Sequence, residues 1–311
     1  MSNVNIQFDL SFDSDNRFAT TLLQGDFTYI AEIDPPADEH RPDSQLVLVR
    51  DQAMEFSNLN WLLGLSINDR APGKDNCPSI DYVNMLSSSS HKVMIFCLSG
   101  KEQEINDIKA AAAVIKSSGN RNIFAVTGNW NGGQPGKVQY VDSVDIIRSL
   151  VPMDNTFNIG AAVNPYRYNP EDVFLLYAKM KRKIASGCRY LVCQVGWDMM
   201  KAQELQWYLQ MCDIPIPVFA RVLFMRYEDS NLLNYRRVRP ECVYPLPICE
   251  VLMRAAQQSP EKFLQRQIDL LALQTVGYYR LGFSGVQIAG CHNATILQQY
   301  YDKVQEYLQE C

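Results

Sequence analysis

Eight short, nearly continuous apolar runs, each bounded by turn residues, Pro or Gly, constrain this sequence more than any other feature. They are 27–33 (FTYIAEI), 61–67 (WLLGLSI), 92–98 (KVMIFCL), 122–127 (NIFAVT), 157–163 (FNIGAAV), 190–196 (YLVCQVG), 216–224 (IPVFARVLF) and 284–289 (SGVQIA). A run that is apolar on both of its alternating faces suits a parallel strand, covered by helices on one side and by a packed interior on the other. Helical patterns fill the intervals at 44–58, 78–88, 102–118, 141–150, 170–187, 199–212, 247–257, 260–280 and 292–309. The helix at 102–118 opens acidic and ends with Lys116 before Ser-Ser-Gly, and that at 170–187 opens on Pro170-Glu171-Asp172 and closes at Gly187, as the helix dipole and helix-end preferences dictate. Strands alternating with helices leave an open doubly wound sheet or a closed (β/α)8 barrel. No G-x-G-x-x-G follows the first strand, and eight strands fit the barrel. The expected organisation is an N-terminal arm over residues 1–26, with NRFATTLLQGD its most helical part, then a single α/β barrel domain over 27–311. Residues 226–259, rich in Arg and Pro, read as an elaborated connection with an extra helix between the seventh and eighth strands.

Composition narrows the function. The 311 residues are enough to bury a full core without staples. With 29 Lys+Arg against 34 Asp+Glu the net charge is −5, which argues against nucleic-acid binding through a basic face. No apolar run approaches the ~20 residues of a membrane span, and the first residues, MSNVNIQFDLSFDSDN, have neither the basic nor the apolar region of a signal peptide. The nine cysteines are odd in number and form no C-x-x-C, so they read as reduced thiols of a cytoplasmic protein. Three histidines make a His-rich metal site unexpected, and no phosphate-binding G-x-x-x-x-G-K-[ST] occurs.

In a barrel of this kind the chemistry sits where strands end and the following loops begin. Those ends carry Glu32-Ile33-Asp34-Pro35-Pro36, Asn68-Asp69-Arg70, Cys97-Leu98-Ser99, Thr127-Gly128-Asn129-Trp130, Asn164-Pro165-Tyr166, Gln194 with Trp197-Asp198, Arg221, and Gln287 followed by Cys291-His292-Asn293. No nucleophile–base triad stands out. Glu32 is the strongest acid/base candidate, because a carboxylate at the end of a buried strand is desolvated, which raises its pKa and suits a general acid. The alternative is a structural pair with Arg221 or Lys183. Gln194 within an apolar strand needs a partner, supplied by a ligand edge or by neighbouring backbone. The glycine-rich loop 129–140 and the aromatics Trp130, Tyr166, Tyr168 and Trp197 suit a phosphate or a flat ring, or simply the barrel mouth.

Taken in order, these segments resemble the methylenetetrahydrofolate reductase family. AEIDPP at 31–36 resembles its first-strand Glu-x-x-Pro-Pro motif, and SIND at 66–69 the second-strand end of the anaerobe-type branch. NIFAVTGNW at 122–130, IGAAVNP at 159–165, KMKRKIASGCRYLVCQVGWD at 179–198 and IPVFARVLFM at 216–225 are similar to its later motifs. The resemblance implies a barrel that binds a tetrahydrofolate and FAD. It implies hydride transfer from NAD(P)H to 5,10-methylenetetrahydrofolate, giving 5-methyltetrahydrofolate. It would make Glu32 the catalytic acid, with Gln194, Asn129 and Gln287 on the folate and Asn68, Thr127, Asn164 and Lys183 on the cofactor. No metal is implied. Family barrels often self-associate. The pattern departs at Asn129, where the family has Asp, at Leu176, where a flavin-contacting Asp is usual, and at Leu98-Ser99-Gly100 after Cys97. These departures support a second reading: a folate-binding paralogue without flavin, a methyltransferase-type enzyme or a subunit working with a partner protein of one-carbon metabolism.

Overall fold

Ile30 and Glu32 turn to one side of the first strand, β1 (Thr28–Ile33), while Ala31 and Ile33 turn to the other, and this two-residue alternation divides the whole molecule. One set of side chains fills the inside of a closed sheet, and the other meets the surrounding helices. The computed structural model describes residues 15–34, 42–69, 78–128, 140–235, 237–239 and 242–310. The remaining barrel strands are β2 (Gly64–Ile67), β3 (Val93–Ser99), β4 (Asn122–Val126), β5 (Asn158–Val163), β6 (Tyr190–Cys193), β7 (Val218–Leu223) and β10 (Gly285–Ala289). They pair in parallel and close as β1-β10-β7-β6-β5-β4-β3-β2, a (β/α)8 barrel as the strand count implies.

Helices α1 (Arg17–Gln24), α2 (Pro42–Ser57), α3 (Val83–Ser89), α4 (Ile105–Ser117), α5 (Ser143–Leu150), α6 (Pro170–Ala185), α7 (Met199–Met211), α8 (Leu246–Ala256), α9 (Pro260–Arg280) and α10 (Ala294–Glu310) complete the fold. Local chemistry sets their ends. Asn169 caps α6 by accepting from the Glu171 amide, with Pro170 in the first turn. Asp198 caps α7 by accepting from Met200 and Lys201, and Glu104 and Asp107 form a reciprocal capping box on α4.

Segment bounds differ from the sequence reading in places, β6 ending at Cys193 so that Gln194 lies just past it, and the 226–259 connection carries further elements besides the extra helix expected there. The run 61–67 becomes a strand only at Gly64. Trp61 instead stacks on Tyr301 at 4.4 Å, outside the barrel. The helix read at 78–88 begins as a 3-10 turn, Ser79–Tyr82. The 226–259 connection holds a 3-10 segment (Tyr227–Tyr235), a small antiparallel pair β8 (Arg237–Arg239) and β9 (Cys242–Val243), and α8. It builds its own apolar cluster around Leu233, Tyr244, Leu252 and Phe263.

The inner core is aromatic at its amino-terminal end. Phe18 of α1 is fully buried and lies edge-on to Tyr190 at 5.1 Å and against Phe219 at 6.0 Å. Gly160 makes room for that packing, since a Cβ there would lie 2.1 Å from the Tyr190 ring. With this end of the barrel filled, the side chains of Glu32, Arg221, Gln194 and Gln287 gather at the other end.

Candidate functional site

At the carboxyl ends of the strands, Glu32 is 1 % exposed and is surrounded by groups from β2, β7 and β10. Arg221 of β7 reaches past β10 and pairs with both carboxylate oxygens, its Nη2 lying 2.5 Å from Oε2. Gln287 Nε2 donates to Oε1 at 2.7 Å, and Asn68 Nδ2 donates to Oε2 at 3.0 Å. The same Asn68 amide group donates to Asp34 Oδ1 at 2.5 Å. Arg221 Nη1 in turn donates to Gln194 Oε1 at 3.2 Å, and that oxygen also accepts from the Val195 amide at 3.1 Å. One connected network therefore joins Asp34, Asn68, Glu32, Gln287, Arg221 and Gln194.

The expected rise in the Glu32 pKa is corrected by this geometry. Burial does push the carboxyl up and is the largest single influence. The adjacent guanidinium and the hydrogen bonds from Arg221, Asn68 and Gln287 together outweigh it, and the group lies below its ordinary value of 4.5. In this arrangement Glu32 is an ionised acceptor. Cys97, on the inner face of β3, experiences the opposite balance, and burial drives its thiol pKa far up, keeping it neutral.

Asn68, Gln194 and Gln287 thus converge on Glu32, as their strand-end positions imply. Thr127, Asn164 and Lys183 join other contacts. Thr127 Oγ1 accepts from the Ser143 amide at 3.1 Å and ties the end of β4 to the start of α5. Asn164 Oδ1 accepts from the Tyr166 amide at 3.1 Å. Lys183 is buried between α6 and the barrel, its ammonium donating to the Ala162 carbonyl at 2.6 Å, and burial with nearby Lys179 lowers its pKa to about 8. Asn129 and Trp130 lie outside the described residues, as does the loop 131–139. Of the other ring candidates, Trp197 packs on Tyr244 at 5.5 Å and Tyr166 bonds to the Tyr278 hydroxyl at 3.1 Å. Among the described residues no group of three His, Cys, Asp or Glu side chains is placed to hold a metal ion.

Arg221, named in the sequence as a strand-end residue and a possible structural partner of Glu32 but given no role toward a ligand, is the central residue of the network. Its signal was present in the sequence: a guanidinium in the middle of IPVFARVLF must find a counter-charge, and Glu32 is the acid at a matching strand end.

The floor of the site is braced independently. Asp69 accepts from the Ser79 amide at 3.1 Å and from Ser99 at 2.9 Å, fixing the ends of β2 and β3 together. On the far side, Gln267 of α9 accepts from the Met225 amide at 2.7 Å and donates to the Met225 carbonyl at 2.9 Å. Farther along α9, Gln274 and Tyr278 both donate to the Gly196 carbonyl, at 2.6 and 3.0 Å.

An acid, a guanidinium and three carboxamides thus gather at the carboxyl ends of the strands, the face on which barrel enzymes of many kinds place their chemistry. The sequence profile described as methylenetetrahydrofolate reductase matches residues 17–272, and the chain belongs to that family. No curated protein matches it. Among solved structures, an uncharacterized protein from Clostridium thermocellum that binds two copies of 5-methyl-5,6,7,8-tetrahydrofolic acid superposes with a TM-score of 0.67. Their sequences are 12 % identical, and the match covers 94 % of this chain and 99 % of that one. Dihydropteroate synthase of Xanthomonas albilineans, in complex with indole-2-carboxylic acid and 6-chloroguanine, gives a TM-score of 0.52 at 13 % identity over 91 % of this chain and 92 % of the other. At these identities the likeness speaks to the fold. No described helix is long and apolar enough to cross a membrane, and the six cysteines resolved as free thiols are Cys97, Cys188, Cys193, Cys212, Cys249 and Cys291.

Proposed function

We propose that this chain binds a reduced folate in the mouth of the barrel and acts in one-carbon metabolism, with the Glu32 network as its pterin site. The observation that carries this reading is the convergence of Glu32, Arg221, Gln194 and Gln287 from four strands. A pterin presents a ring N–H and an exocyclic amine beside a carbonyl oxygen. Carboxamides offer an acceptor and donors on one planar group, and a guanidinium donates to the carbonyl. Family membership and the folate-binding Clostridium thermocellum protein support the same ligand class.

The reaction that family membership supports is reduction of 5,10-methylenetetrahydrofolate to 5-methyltetrahydrofolate with NAD(P)H as electron source. Glu32 is then the acid beside the opening ring. The FAD of the family does not fit the described residues. Lys183 is buried on the Ala162 carbonyl, Thr127 is committed to Ser143, and Leu176, at the position of a flavin-contacting Asp, packs against the apolar core. This misfit favours the second reading, a flavin-free folate protein that handles a methyl group or serves a partner within a one-carbon complex, in the cytoplasm and as a self-associating barrel.

The test is calorimetric titration of the purified chain with 5-methyltetrahydrofolate, beside a visible spectrum. Saturable binding that weakens on Gln194→Ala supports the site, and absence of binding refutes it. A bound flavin, or NAD(P)H oxidation with the methylene substrate, selects the reductase.

A further inference from the structure

Ser66 stands beside Glu32. The two are register partners on β2 and β1, and the alternation that sends Leu65 and Ile67 outward turns Ser66 into the barrel with Glu32. Ser66 is fully buried, and its hydroxyl oxygen has no hydrogen-bond partner among the described residues. A buried hydroxyl without a partner costs free energy, so a second arrangement in which it has one is favoured to that extent.

The groups facing Glu32 come from every neighbouring strand. They are Arg221 of β7, Gln287 of β10, Asn68 and Ser66 of β2, Cys97 of β3, and Asp34 just beyond β1. Cys97 is neutral and Asp34 carries no positive charge, so Arg221 alone supplies the positive charge in this set. Arg221 also has a second engagement, on Gln194, as Asn68 has on Asp34, and it is less buried than the acid it holds, with 18 % of its side chain exposed.

We infer that Arg221 is a displaceable partner and a positioning residue for Glu32: an entering pterin draws the guanidinium onto its own carbonyl oxygen, and Glu32 takes up a proton from solvent and, as the neutral acid, donates a hydrogen bond to Ser66 Oγ. The inference rests on the folate reading above. The balance is one proton gained by the carboxylate per ligand bound, with no other bond made or broken. Removing the counter-charge leaves burial as the main influence on Glu32, and burial favours the neutral acid. The binding step itself would then arm the acid that an ionised Glu32 cannot be.

The experiment is titration of 5-methyltetrahydrofolate into the full chain at about neutral pH, in two buffers of different ionisation enthalpy, so that the buffer-dependent heat counts protons. The expected result is uptake of about one proton, with affinity falling about tenfold per pH unit where free Glu32 is ionised and the complex is still protonated, and levelling off once the complex deprotonates. Glu32→Gln abolishes the uptake, which separates it from protonation of the folate. Arg221→Met abolishes it too, because its carboxyl is already protonated in the free protein. Arg221→Lys, which keeps a displaceable cation and guards against misfolding, restores it. Ser66→Ala reduces it. Binding with equal heats in both buffers, or uptake that survives Glu32→Gln, overturns the inference while leaving the folate site standing. Absence of heat in every buffer overturns both.

Discussion

Asn16 Nδ2 donates to Asn122 Oδ1 at 2.9 Å, joining the cap of α1 to the first residue of β4 at the floor of the barrel. Asn158 donates to the same oxygen from β5 at 3.3 Å. The helix that precedes the barrel is thereby keyed to two of its strands, and Phe18 fills the space between them and Phe219. Phe18→Ala is expected to lower stability by about 3–5 kcal/mol, the usual cost of emptying a fully buried aromatic site. Urea unfolding measures it, and an unchanged midpoint would show that α1 does not seal the floor.

Asp154 receives Lys116 at 2.8 Å and the Thr156 hydroxyl at 2.7 Å. Burial raises its pKa, but these partners bring it to about 2, below the ordinary 3.8. A folded-state pKa below the unfolded one stabilises at pH above the unfolded value, and this contribution is lost as pH falls from about 4 to about 2. Asp154→Asn should therefore cost on the order of 1 kcal/mol at neutral pH, with the gap closing below about pH 3. A gap that persists in acid would locate the effect elsewhere.

Lys183 obeys the opposite sign. Its folded pKa of about 8 lies below the ordinary 10.5 because burial disfavours the ammonium. The unfolded chain binds more protons between these values, so wild-type stability rises with pH across that window relative to Lys183→Met. The expected change is on the order of 2 kcal/mol between about pH 7.5 and 10.5. Parallel curves for the two proteins would mean that the ammonium is solvated.

Gln194→Ala should weaken binding of 5-methyltetrahydrofolate by about 1–3 kcal/mol, the value of a buried hydrogen-bonding group left unmatched. Folding should be retained, since the Val195 amide and Arg221 that it serves lie at the mouth. Equal affinity for variant and wild type would remove Gln194 from the pterin site.

The barrel was legible in the sequence because a strand buried on both faces leaves a run that is apolar throughout, and the eight runs at 27–33 through 284–289 became the eight parallel strands. Glu32, Asn68, Gln194 and Gln287 were legible for the converse reason: a polar group at the end of such a run must be answered by others at the same height. Two things were hidden. The state of Glu32 depends on Arg221, which lies far along the chain and two strands away around the barrel, so burial read from β1 alone gave the wrong direction of its pKa shift. The contacts of Lys183 and Thr127, with the carbonyl of Ala162 and the amide of Ser143, are to backbone groups that no motif displays.

Gln267 holds both the amide and the carbonyl of Met225. The chain is therefore pinned just as it leaves β7, before the excursion of residues 226–259 begins. A disturbance travelling back along the backbone from that excursion meets this double clamp before it reaches Arg221, so one glutamine steadies the strand that carries the charge governing the acid.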